Sequence, residues 1–179
     1  IRFGTNEAHL RTMVLKNGKQ YQIHMHLKHN RSKGIAVNKI PMKKASELFG
    51  ILNIVFFSPE DLNIIKNGPS ERRHFLDAEL CQLDKIYLYD LSNYNKILNQ
   101  RNKLLKDMVY RPELSDTLPV WDMQLADTGK KIIRRREKFV KELNEIVHEI
   151  HYRISGGREE LFLSYEPSVS ADLLEQELE

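Results

Sequence analysis

The chain has 179 residues, 41% of them hydrophobic, with 28 lysines and arginines against 25 acids and a formal charge of +3. That is enough chain for one large domain or two small ones with a real core, and too mild a charge balance to name a partner by itself. A single cysteine, Cys81, excludes an internal disulfide and a cysteine-based zinc site and fits a reducing, cytoplasmic setting. No apolar run is long enough to cross a bilayer, and no signal-peptide pattern opens the chain, so no membrane partner is expected. The sequence begins at Ile1 and closes on a helical pattern without a stop signal, which reads as a piece of a longer protein.

In chain order, the first third is β-rich. Tyr21, Ile23, Met25 and Leu27 alternate with Gln22, His24, His26 and Lys28, the period of a strand with one buried face. Asn17-Gly18 just before it is a two-residue hairpin signal, which sets the preceding strand at about residues 10–16. Residues 34–37 supply a third strand, a short helix is expected near 44–49, and the apolar run 52–57 reads as a buried strand. From Pro59 to about Ser155 the pattern is helical. Pro69 suits a first helical position, followed by Leu76, Leu80 and Leu83. The next helix starts near Asp84 with the stripe Tyr87, Leu91, Tyr94, Leu98, Leu105 and Met108, interrupted by Arg101. After a connector at 110–116, a long helix covers about 118–154. Its Leu118, Leu125, Ile132, Phe139 and Ile146 stand seven apart and predict a heptad seam. Gly156-Gly157 stop that helix, and the alternation of Leu161, Leu163 and Tyr165 with Phe162 and Ser164 predicts a return strand. The fold class is therefore α+β, an antiparallel β layer with a long helical excursion.

No complete catalytic constellation appears. The densest chemical signal is Lys130, Lys131, Arg134, Arg135, Arg136, Lys138 and Lys141, seven cations within twelve residues opposed only by Glu137. Such density favours a polyanion through phosphate contacts and counterion release; the alternative is a solvated face paired with acids on a neighbouring helix. Lys131, Arg134, Arg135 and Lys138 lie off the predicted seam and are the candidate DNA contacts. Arg72 and Arg73 open a helix beside a strand end, where they suit either phosphate contact or an ion pair with Glu60, Asp61 or Asp77. The turn holding Ser58, Glu60 and Asp61 offers carboxylates for magnesium or for orienting a water, but capping of the helix after Pro59 is the better reading. His24, His26 and His29 invite a metal-site reading; with no carboxylate or cysteine among them, a solvent-facing strand is favoured and no metal is expected.

Ile154-Ser155-Gly156-Gly157-Arg158 is similar to the Leu-Ser-Gly-Gly-Gln signature of ABC ATPases, but a signature must open a helix so that its N-terminus faces phosphate. Here a helix ends, and none of the eight glycines belongs to a Gly-x-x-x-x-Gly-Lys-Ser/Thr loop. The chain alone lacks the parts to hydrolyse ATP.

An ordered set of residues nonetheless matches a family. It comprises Phe57-Ser58-Pro59-Glu60-Asp61-Leu62, then Gly68-Pro69-x-x-Arg72-Arg73-x-Phe75-Leu76-Asp77, then Tyr94-Asn95 with Gln100-Arg101-Asn102-x-Leu104-Leu105-Lys106. Trp121-Asp122-x-Gln124-Leu125-Ala126, Gly129 and Arg136-x-x-Phe139 follow. In these the chain resembles the middle of RecF, a bacterial recombination and replication-repair ATPase related to SMC-type heads. The resemblance implies an ABC-type head lobe with an inserted helical lobe: residues 1–58 the β-rich part of the head, 59–157 the helical lobe, and 158–179 a return strand and the start of the next helix. It places a Walker A loop before Ile1 and the signature and Walker B motifs after Glu179, so ATP and magnesium are expected only of the complete protein. It gives the Ser58–Asp61 turn the place of a Q-loop, although no glutamine is there. It implies an ATP-dependent homodimer that binds single- and double-stranded DNA at gap junctions and acts with RecR and RecO to help load RecA. It also turns Arg136 toward the helical partner. The rival class is a DNA-free helical module that docks a protein. A nuclease ranks behind both, for want of clustered carboxylates beyond Glu60 and Asp61.

Overall fold

Asn17 and Gly18 both hold positive φ, 50° and 73°, as a two-residue turn of matching twist requires. In the computed structural model, which describes residues 1–178, this turn joins β1 (Glu7–Lys16) to β2 (Lys19–Lys28). Their pairing runs without a slip from Lys16 opposite Lys19 to Glu7 opposite Lys28. β3 (Gly34–Val37) and β4 (Ile40–Met42) complete an antiparallel sheet in the order β1-β2-β3-β4. One face buries Ile23, Ile35 and Val37. The other carries Glu7, His9 and Arg11 opposite Lys28, His26 and His24. β4 has no strong sequence signal, because its turn is Asn38-Lys39, with φ of 50° and 69° and no glycine. Asn38 holds the turn by accepting the Gln22 N–H on Oδ1 at 2.8 Å.

Two predicted strands are absent. A strand exists only where a partner's N–H and C=O groups face its own, and among the described residues none faces 52–57 or 161–165. In the first segment the Ile54 N–H donates to the Gln82 side-chain oxygen at 2.9 Å, while Val55, Phe56 and Phe57 lie exposed. In the second the period of two survives without a ladder. Leu161, Leu163 and Tyr165 are half-buried, Phe162 and Ser164 exposed, and the Leu163 N–H donates to Asn144 Oδ1 at 2.6 Å. Residues 171–178 form successive turns rather than a helix.

The helices are α1 (Asn63–Lys66), α2 (Pro69–Leu83), α3 (Lys85–Met108) and α4 (Leu118–Ile154), with tight helical turns at Ala45–Leu48, Pro59–Leu62 and Pro112–Thr117. The chain divides into two compact units, one of residues 1–75 with 81–85, the other of 76–80 with the residues from 86 onward. Within the second unit α4 carries the core in Leu125, Ala126, Gly129, Ile132 and Val140. Leu125 and Ile132 belong to the predicted sevens, while Ala126, Gly129 and Val140 widen the buried face along the natural 3.6-residue turn. A strict heptad drifts by about 20° per repeat on a straight helix, so Ile146, at its far end, is 58% exposed. Gly129 admits close packing: a Cβ there would lie 2.6 Å from Leu174 Cδ2 and 3.3 Å from the Tyr94 ring.

At its C-terminus α4 closes in a Schellman motif. The Gly157 N–H donates to Tyr152 O at 2.8 Å and the Gly156 N–H to Arg153 O at 3.3 Å, both glycines at positive φ. The glycines thus end a helix, which is the wrong end for an ABC signature.

Candidate nucleic-acid interface

A charged residue on a buried helical row must find a partner, because an unpaired guanidinium loses its hydration without return. Arg136 falls on the buried row of α4, four residues after Ile132 and four before Val140. Its fork reaches Asp77, with Nε to Oδ1 at 2.9 Å and Nη2 to Oδ2 at 2.8 Å. The Tyr87 hydroxyl donates to the same carboxylate and accepts from Arg136 Nε at 3.0 Å. Burial, then the hydrogen bond to Asp77, pushes the Tyr87 phenol well above its ordinary range. Arg101, which interrupts the apolar stripe of α3, is likewise paired with Asp122 of α4, both side chains mostly buried. These two pairs fix the rotation of α4 and so decide which cations face outward.

Arg136 is therefore taken from the basic run into the interior. Two further members meet acids from the turns at 171–178: Lys130 Nζ lies 2.7 Å from Glu175 Oε2 and Arg134 Nη2 lies 2.8 Å from Asp172 Oδ1. Lys138 faces Glu142 one turn on, at 3.7 Å. Arg135 is half-buried. Lys131 and Lys141 are exposed and have no ion pair among the described residues. Exposed pairs contribute only about 0–1 kcal/mol. Arg134 and Lys138, 65% and 71% exposed, thus remain able to exchange a carboxylate for a phosphate. Lys131, Arg134 and Lys138 share one face and span about 10 Å of helix, roughly three phosphates of one strand.

The other expected residues stand elsewhere. Arg72 donates through Nη1 to Ile64 O at 3.2 Å and Asn67 O at 3.1 Å, closing the end of α1, and meets no acid among the described residues. Arg73 is exposed. Asp61 accepts the Ser58 N–H on Oδ2 at 2.6 Å, the reciprocal cap of a helical turn, and its own N–H donates to Ser58 O at 3.0 Å. The Ser58 hydroxyl, and then its own N–H, hold the exposed Glu60 carboxylate below its ordinary range. The three histidines named from the sequence do not assemble. His26 instead meets Glu7 and His9 of the neighbouring strand, partners invisible without the register.

No family model matches the chain. Among curated proteins it is 67% identical over 178 residues to the "DNA replication and repair protein RecF" of Agathobacter rectalis, covering 99% of this chain and 49% of that protein. The protein of the same name from Lachnospira eligens is 59% identical over 180 residues, covering 99% and 50%. Among solved structures, that of "the recombination mediator protein RecF-ATP in RecFOR pathway" superposes with a TM-score of 0.84 at 32% identity, covering 99% of this chain and 50% of that one. The chain spans about half the length of the curated relatives it matches.

Proposed function

Since this chain belongs to the RecF family, we propose that it serves in recombinational DNA repair as the part of a RecF-like ATPase that carries a cationic helix face toward DNA. The carrying observation is the outward stripe of Lys131, Arg134 and Lys138 on α4, a helix whose rotation is locked by the Arg136–Asp77 and Arg101–Asp122 pairs. Three cations over about 10 Å suit a phosphate backbone and read no base sequence. DNA at single-strand gaps is the substrate this reading assigns to the whole protein, with RecR and RecO as partners in helping to load RecA. ATP with magnesium and an ATP-dependent homodimer belong to the same proposal. The name of the ATP-bound relative supports the nucleotide, and the pathway it names supports the partners. This segment brings no phosphate-cradling loop of its own, so ATP must be held by residues outside it.

The test is DNA affinity against salt for the full-length protein that contains this chain, with ATP, magnesium and a gapped duplex. Backbone binding predicts that log affinity falls linearly with log salt. A response flat in salt would replace the proposal with the protein-docking reading, in which an apolar surface carries the contact.

A further inference from the structure

The antiparallel register of β1 and β2 sets His9 directly opposite His26, and Glu7, two residues before His9, stands on the same face. Glu7 Oε2 lies 3.1 Å from His26 Nε2, and the two imidazoles stack at 8° with centroids 4.3 Å apart. One ligand atom from each of the three side chains lies within 4.8 Å of the other two.

We propose that Glu7, His9 and His26 form a binding site for a divalent transition-metal ion, with zinc the representative cation. The donor set carries the choice of ion. Two imidazoles and one carboxylate suit zinc, nickel or copper, whereas magnesium and calcium prefer oxygen ligands throughout. Zinc bonds of about 2.0–2.1 Å in a tetrahedron put neighbouring ligand atoms about 3.3 Å apart. The Glu7–His26 separation of 3.1 Å is close to that value, and a ligand atom of His9 lies within 4.8 Å of both. Three protein ligands leave a fourth position for water or for a group from a partner, the open arrangement of an exchangeable site. The backbone positions are set by a continuous ladder, a rigid mount for ligands. Gly34 stands beside the His26 Cβ, where an added Cβ would meet it at 3.6 Å. One competing cation is present: Lys28 Nζ lies 3.7 Å from Glu7 Oε2.

Zinc titrated calorimetrically into the whole chain should bind one ion per chain, and cobalt in its place should give a visible spectrum of imidazole–carboxylate ligation. His9→Ala and His26→Ala should each weaken zinc by more than about tenfold, and Glu7→Gln should weaken it as well. His24→Ala and His29→Ala should leave it unchanged, and Lys28→Ala should strengthen it. Histidine acylation mapped by mass spectrometry on the unaltered chain covers the case of a variant that fails to fold: zinc should protect His9 and His26 and spare neither His24 nor His29. No zinc binding, binding indifferent to His9 and His26, or protection at His24 and His29 alone would each overturn the site.

Discussion

The Tyr87 hydroxyl donates to Asp77 Oδ1 at 2.5 Å, and the same carboxylate receives the Arg136 fork, so a single acid from α2 satisfies polar groups of both α3 and α4. Removing it leaves a guanidinium stranded on an apolar row. Asp77→Ala should therefore destabilise the chain by about 3 kcal/mol, the lower end for a buried pair because the side chains keep 20% and 14% of their exposure. Asp77→Leu with Arg136→Leu should recover most of that loss, since neither charge then needs a partner. Urea denaturation reads both. A cost under about 1 kcal/mol for Asp77→Ala would mean that the pair is solvated.

Tyr87 gives a pH dependence with a definite sign. Its phenol is raised in the folded chain by burial and by Asp77, so the folded state holds the proton more tightly than the unfolded state. Its contribution is complete below the ordinary tyrosine value of about 10 and declines as pH rises from there toward the raised folded value. Tyr87→Phe should cost about 1–2 kcal/mol at neutral pH, through the lost hydrogen bond to a charged acceptor. It should also flatten the fall in stability above about pH 10. Parallel alkaline limbs for the two proteins, measured by thermal melting across that range, would remove Tyr87 as the cause.

The run 54–57 leads to a solubility prediction. Val55 is 97% exposed, Phe56 79% and Phe57 77%, three large apolar side chains in a row outside any helix or strand. Contiguous apolar surface of this kind invites self-association. Val55→Lys with Phe56→Lys should lower dye binding and light scattering of the chain. Stability should change by no more than about 0.5 kcal/mol, because the wild-type side chains bury almost nothing. A large drop in melting temperature would show that these residues pack in solution.

How much of this was legible in the sequence depends on range. Signals carried by adjacent residues translate directly. Asn17-Gly18 is the hairpin turn, and Gly156-Gly157 end α4, which spans Leu118–Ile154. The strand readings at 52–57 and 161–165 go astray because periodicity describes a surface, while a strand also needs a partner. The heptad reading fails at Ile146 because seven-residue spacing only approximates two turns of a straight helix. The basic run is plain in the sequence. Its neutralisation is not, since Lys130 and Arg134 meet acids 45 and 38 residues away. Arg136 and Asp77 are separated by 59 residues. The only local hint of either buried pair is a cation interrupting an apolar row, at Arg101 and at Arg136.

That neutralisation makes the DNA proposal testable in both directions. If α4 touches the phosphate backbone, Lys131→Ala removes a cation that has no ion pair among the described residues. It should weaken binding equally on any sequence and reduce the salt slope by about one. Asp172→Asn and Glu175→Gln act oppositely. They release Arg134 and Lys130 from carboxylates at 2.8 and 2.7 Å without removing a cation, so affinity should rise and the salt slope should steepen. The loss of those exposed pairs should cost the fold no more than about 1 kcal/mol each. Measured in the full-length protein with ATP and gapped duplex, the two sets should move affinity in opposite directions. If both leave affinity and slope unchanged while the fold is intact, α4 lies off the DNA path and its cations serve a protein partner.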